Sequence, residues 1–535
     1  MDNLGECDIV LKGGMTSGVL YPALLAKLST RFRFRGLGGS SAGAIAAALG
    51  AAAEYGRRHS NPHAFKQLGS ISDELRNPER VSSLFEPDAQ TRPLFEKINL
   101  VLSREEGFRP LRALKRFRTA VNFVTDDRAF EPWLRNGMGL CTGMAQGRSG
   151  IALVPWIHAH LNALAGIRSD DVLSFGMLRN HERRIDLKLV ATALEIATRV
   201  DLPLHDARWG FDPSKWRRIF PKSVIDFMIQ RAAPRTVSYM PTELIPFPAI
   251  DDLPVIVAVR MSMAFPGLFT PVPVAIPDPS RRGEYVNIHL ADGGITSNLP
   301  STLCDEPIPE HPVFVENLRY GSAPGRRSRR GVDSSGVWMP RSAGDGNLDL
   351  VETIESRCSR QTVINLTASV ITAARTWTDN RWLRMPGYRE RIVEVWLDPD
   401  EGGFNLRMNE RSSDKLISKG ERAADMLIHR YAADANGRSD GFLRHARHRR
   451  RILTRSMIRF ANRWSRNSLK SAWSEATSEA TCHNVLAVED AIRRINAVNT
   501  EAKCTSRCRC CGSRGGVPRL MFNGDLEDVT DDHSR

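Results

Sequence analysis

The chain has 535 residues, 41% of them hydrophobic, which is ordinary for a globular protein and long enough for a large α/β domain with one or two appendages. Its formal charge is +14, but the stretch from Arg438 to Lys470 holds eleven Lys and Arg against one acid, Asp440, so that one segment supplies +10 of it. No run of roughly 18 uninterrupted apolar residues occurs, which excludes a membrane-spanning helix, and Met1 to Glu6 have neither a basic nor an apolar leader region, so the expectation is a cytoplasmic protein without a signal peptide.

The first predicted strand is Cys7–Leu11, which runs into Lys12-Gly13-Gly14-Met15-Thr16-Ser17-Gly18 and an apolar helix from Val19. Glycines in such a turn free backbone N–H groups to face an anion, either a phosphate or the oxyanion of an acyl-transfer intermediate. The order of this turn satisfies neither GxGxxG nor GxxxxGK[ST], which weakens the nucleotide reading. Next comes an alternating strand, Phe32–Leu37, then Gly39-Ser40-Ser41-Ala42-Gly43 and the helix-forming run Ala44–Leu49. A serine on a tight strand-to-helix turn needs glycine at −2 and +2, and only Ser41 has both, leaving Ser40 as the small residue of the elbow. The plainer alternative is a loop and helix cap.

From Arg57 to Tyr239 helix signals outnumber strand signals, with breaks at Pro62, Pro78, Pro87, Pro93, Pro110 and Pro132. This stretch reads either as a cap over an active-site face or as ordinary core, the reading preferred for apolar pieces such as Ile98–Leu102. Strands are predicted at Ile185–Ala193 and Glu284–Leu290, the second leading into Asp292-Gly293-Gly294. An Asp before two glycines is commonly a turn former; beside a serine elbow it is also the carboxylate such a nucleophile needs as a base.

Taken in order, Gly13–Gly18, Gly39–Gly43 and Asp292–Gly294 resemble the motifs of the patatin-like phospholipases, and Arg260–Val272 and Asn298-Leu299-Pro300 are similar to that family as well. The likeness spans roughly residues 5 to 320. It implies an α/β fold, a three-layer sandwich around a central, mostly parallel sheet, with a helical insertion at about 57–180 and a helical C-terminal extension. It also implies a Ser–Asp dyad in which Ser41 attacks an acyl carbonyl and Asp292 takes its proton, with the N–H groups of Gly13, Gly14 and Met15 as the oxyanion hole. Gly18, Gly39, Gly43, Gly293 and Gly294 are then motif glycines, the substrate a phospholipid, lysophospholipid or other acyl-ester lipid, and no metal or organic cofactor is called for. One departure stands out: the family usually carries Arg or Lys where this chain has Ser17. Lys12 could compensate, although a solvated lysine at the strand end is the expectation.

Beyond Pro312–Leu318, a strand, residues 321–347 read as a flexible loop or linker and 348–435 as an α/β extension, with a helix over Leu348–Trp377, a strand at Arg391–Leu397 and a helix at Ser412–Tyr431. This segment could add a strand to the main sheet. Residues 436–480 read as a basic amphipathic helix region, with Leu453, Met457, Phe460 and Trp464 at helical spacing and Arg451, Arg455, Arg459, Arg463 and Arg466 on other faces. Such a helix either lies on an anionic membrane, through Arg451, Arg455, Arg459, Arg463 and Trp464, or packs on the protein. Residues 481–535 read as a polar, disordered tail whose Cys504, Cys508, Cys510 and Cys511 match no paired zinc knuckle. The five cysteines outside that cluster sit singly, which suits a reducing compartment. Two rival functions remain at this point: an esterase with a Ser-Asp-His triad using His311 or His429, and a non-catalytic lipid- or nucleic-acid-binding protein on a degenerate hydrolase scaffold. No nucleic-acid partner is expected, and oligomeric state is not legible in the sequence.

Overall fold

The structure, a computed structural model, describes residues 4–96, 131, 133–144, 152–180, 184–320, 336–340, parts of 366–398, and 400–466, with gaps at 205, 207, 236–237, 403–404, 406–407 and 435–436. The predicted linker at 321–347, the helix over Leu348–Trp377, Ile98–Leu102 and the cysteine-bearing tail fall wholly or mostly outside these residues. Contacts divide the chain into two units, one of residues 1–305 and 311–440, the other of 306–310 and 441–535.

The first unit is built on one large mixed sheet. Its centre is five parallel strands in the order β13 (Ile392–Leu397), β11 (Val313–Tyr320), β1 (Gly5–Leu11), β2 (Phe32–Ser40) and β4 (Asp186–Ala193). Beyond β4 the pairing turns antiparallel through β10 (Tyr285–Asp292), β9 (Val272–Pro277), β6 (Gly210–Phe211) and β7 (Ile245–Pro246). β5 (Thr198–Leu202) pairs antiparallel with β4, and β12 (Val337–Trp338) with β13, while β3 (Gly139–Cys141) and β8 (Gly267–Phe269) form a separate parallel pair. The expectation of a mostly parallel sheet is thus corrected to a parallel centre with an antiparallel wing. The reason is local: β4–β5 and β9–β10 are joined by connections too short for a parallel crossover, which needs a dozen or more residues.

The central strands read as near-continuous apolar runs because both their faces are covered. Helix α2 (Ala42–Arg58) lies on one face; its alanine-rich sequence lets it sit close, and its one fully buried carboxylate, Glu54, is met by Arg57, Arg58 and the Phe34 N–H. On the other face Val10, Val190, Val313, Val315 and Ile392 are closed over by Leu299, Leu303 and Leu383. Around α2 stand α1 (Tyr21–Leu28), α3 (Ala64–Leu75), α4 (Pro78–Ser83) and α5 (Leu153–Ala165), with α6 (Val255–Ser262) fully buried beside β4. Helix α7 (Glu410–Tyr431) packs on α1, on the 3₁₀ turn Thr16–Leu20 and on β13, so residues on both sides of 321–347 share one sheet and one core.

The second unit holds helix α8 (Asp440–Arg466), the predicted basic helix. Arg451 and Arg455 are exposed on it and Met457 is 40% exposed, while Arg459 is half-buried. The side chains of Arg463 and Trp464 lie outside the described residues. No described helix is long and apolar enough to cross a membrane.

Candidate active site

Three segments converge at one end of the parallel strands. β2 ends at Ser40, and Ser41 opens α2 with φ 56° and ψ −126°, a conformation that non-glycine residues adopt only under strain of about 1–3 kcal/mol. The strain is held by fixed bonds. The Ser41 N–H donates to Ser262 Oγ (3.2 Å), whose hydroxyl donates to the Val190 carbonyl (2.5 Å), and the Ser41 carbonyl accepts from Ala44 N (2.9 Å). Both elbow glycines are required by contact, since a Cβ on Gly39 would strike the Gly43 carbonyl and one on Gly43 would strike the Leu11 carbonyl. Ser40 is fully enclosed, with its Oγ against Gly293, whereas Ser41 is half-buried and faces a cavity.

Asp292 reaches the same level of the sheet from the far side. Ser40 is in register with Val190, and Asp292 with Ala191, so the two motifs start two strands apart, about 10 Å at the backbone. Asp292 is 3% exposed, and its Oδ1 accepts from the Gly294 N–H (2.7 Å). Thr192 donates to its carbonyl (2.9 Å).

The glycine-rich turn is fastened to the aspartate turn by Asn298. Gly13 N donates to the Asn298 carbonyl (2.9 Å) and Asn298 Nδ2 donates to the Gly13 carbonyl (3.2 Å). Gly13 must be glycine, because a Cβ there would strike Asn298 Oδ1 and come within 3.0 Å of Ser41 Cβ. Its N–H is consumed by Asn298, which corrects the expectation that it faces an oxyanion; Gly14 and Met15 are the next donors in the turn. Gly18 closes the turn by donating to the Gly14 carbonyl (3.1 Å).

Sequence reasoning missed the brace behind Asn298. Asp379 accepts from Ser297 Oγ (2.9 Å), Asn298 N (2.8 Å) and Leu299 N (2.9 Å), and burial holds its carboxyl above the usual carboxylate range despite these donors. A lone acid some eighty residues from the motif carries no local signal. Ser17 is fully buried, and Gly402, at φ +72°, lies against it, so the place of the family's basic side chain is filled by the loop before α7.

Lys12 is not the solvated lysine expected from sequence. Its ammonium turns inward to Asn317 Oδ1 (2.8 Å) and the Leu318 carbonyl (2.7 Å), and burial lowers its pKa to about 8. Beside it, burial raises the Glu316 carboxyl to about 8. Tyr21 Oη shares its one hydrogen between the Lys12 carbonyl (2.5 Å) and Glu316 Oε2 (2.9 Å), which fixes the carbonyl preceding Gly13. The pKa of Glu316 is raised on folding, so its contribution to stability is complete below the ordinary carboxylate value and is lost as pH rises through about 8. Glu316→Gln is therefore expected to lose less melting temperature than the wild type between pH 5 and 9; parallel curves would contradict it.

The cavity at Ser41 is almost wholly apolar. Ala42, Ile45, Ala46 and Leu49 of α2 form its floor, α3, α4 and α5 contribute Ile71, Leu75, Val81, Leu153 and Trp156, and Phe85, Phe265 and Phe269 join Met15, Thr16, Val19 and Pro22 around the rest. The described part of the predicted insertion thus supplies both core residues and cavity wall. No histidine lines the cavity among the described residues: His311 Nε2 lies 2.9 Å from Asp8 Oδ1, and His429 is exposed on α7.

A model of the patatin-like phospholipase family matches residues 9–305, an interval that contains all three converging segments. The chain is 29% identical over 526 residues to the RpoH suppressor of Rhizobium meliloti (strain 1021), covering 78% of this chain and 82% of that one. The crystal structure of VipD from Legionella pneumophila aligns with 88% of this chain and 79% of its own, at 13% identity and a TM-score of 0.27.

Proposed function

The chain belongs to the patatin-like phospholipase family, lipid acyl hydrolases, and from that premise we propose that it cleaves acyl esters of phospholipids or lysophospholipids through a Ser41–Asp292 dyad. The observation that carries the reading is the strained, half-buried Ser41 at the end of an apolar cavity. Ser41 Oγ attacks the acyl carbonyl as its proton passes to Asp292, and the N–H groups of Gly14 and Met15 meet the developing oxyanion. Asp292 then protonates the departing alcohol. Water, giving its proton to Asp292, attacks the acyl-enzyme, and Asp292 returns that proton to Ser41 Oγ as the fatty acid leaves. A buried carboxylate needs no histidine to do this when it is held against the nucleophile, and the positions of His311 and His429 favour the dyad over a triad. Reaction with a fluorophosphonate followed by peptide mapping tests the assignment. Label on Ser41 is the expected result, and label on Ser40, or none, would overturn it.

The basic helix suits an enzyme of water-insoluble substrates. Exposed Arg451 and Arg455 would meet anionic head groups, with Arg459, Arg463 and Trp464 as further contacts. Removing residues 438–535 is expected to weaken binding to anionic vesicles at least tenfold, with a salt-sensitive loss, while turnover of a water-soluble ester changes less than threefold. Equal co-sedimentation of the full-length and truncated chains would return the helix to a packing role.

A further inference from the structure

We propose that the cavity is a gauge of acyl-chain length, built for acyl groups of about eight to ten carbons. The proposal rests on the acyl-hydrolase reading of Ser41 and goes beyond it to the substrate's chain. The floor of the cavity is one face of α2, where Ala42, Ile45, Ala46 and Leu49 follow Ser41 at helical spacing. Eight residues at 1.5 Å each place Leu49 about 12 Å from Ser41 along the helix. An extended chain advances about 1.2 Å per bond, so an acyl group bonded at Ser41 meets Leu49 after roughly ten bonds.

The cavity does not continue past that point. The next turn of α2 presents Ala52 and Ala53, both at 0% exposure and neither of them lining the cavity, and α2 packs on α3 and α5, whose Leu68 (0%) and Leu161 (1%) are equally enclosed. Nor is the wall free to step aside. Trp156 donates from Nε1 to Glu74 Oε1 (2.9 Å), and the same carboxylate accepts from Arg80 Nε (2.6 Å) and lies 3.1 Å from His160 Nε2. Glu74 therefore ties α3, α4 and α5 together over the cavity, and lengthening it would mean parting a bonded, half-buried cluster. Apart from the hydroxyls of Thr16 and Ser41 the lining has no charged or hydroxyl side chain, so what it recognises is methylenes.

A series of p-nitrophenyl esters from acetate to palmitate, each below its critical micelle concentration, reads the gauge. The value of kcat/KM is expected to rise about threefold to fourfold per added methylene up to the octanoyl or decanoyl ester, since each methylene is buried in turn. Palmitate should then fall at least tenfold below decanoate. Ala46→Leu, which places a branched side chain in the cavity about 7 Å from Ser41, should move the optimum down to butanoyl or hexanoyl. Leu49→Ala should move it up by about two carbons. A profile that keeps rising to palmitate, or one that Ala46→Leu leaves unmoved, overturns the gauge while Ser41-dependent activity stands. Hydrolysis that survives Ser41→Ala across the whole series strikes the acyl-hydrolase reading itself, which separates the two failures.

Discussion

Ser41→Ala is expected to lower kcat on short esters and phospholipids by at least roughly 10⁴-fold, to the residue of activity that oxyanion donors and binding alone sustain. The acyl-enzyme cannot form without Oγ, and fluorophosphonate labelling should vanish with it. Folding should be untouched or improved in a thermal melt. The Ser41 backbone bonds to Ser262 and Ala44 use no side-chain atom, and alanine has the smaller group to hold at φ 56°. A variant that keeps more than a tenth of its activity would remove Ser41 from the mechanism.

Asp292→Asn should be nearly as damaging, about 10³-fold to 10⁴-fold in kcat with little change in KM. The amide matches the carboxylate in shape and can still accept from the Gly294 N–H, so the turn is kept while the proton acceptor is lost. His311→Ala and His429→Ala serve as the counter-measurement and should each retain at least half of the wild-type kcat/KM. An active Asp292→Asn together with an inactive histidine variant would establish a triad in place of the dyad.

The parts of this molecule that sequence disclosed are those written in local pattern. β1, β2, β4, β10, β11, β13 and α7 come within a few residues of the runs that alternation and helical spacing mark out, and the glycines flanking Ser41 announce a turn that contact makes obligatory. What sequence withheld depends on distant partners. Nothing around Gly13 says that Asn298 takes its N–H, nothing around Lys12 says that β11 receives its ammonium, and Asp379 has no motif of its own. The antiparallel wing was hidden for a similar reason, because a strand's period is the same whichever way its neighbour runs. The cavity was hidden because no single helix contains it; each of α2 to α5 supplies one wall from an apolar face that reads as ordinary core.

The pairing of Asp8 with Val313 sets a timetable for the growing chain. β1 and β2 leave the ribosome together, yet the strand that covers the other edge of β1 is about 300 residues behind, and at 5–20 residues per second it arrives roughly 15–60 s later. Through that interval β1 offers bare backbone donors and acceptors, and Val10 lacks the covering residues Leu299 and Leu383. A chain stopped at residue 305, where the family match ends, would stay in that condition, without β11 or β13. The nucleophile's half of the protein is therefore made before the strands that complete its sheet, and its nascent form keeps an open edge until β11 follows.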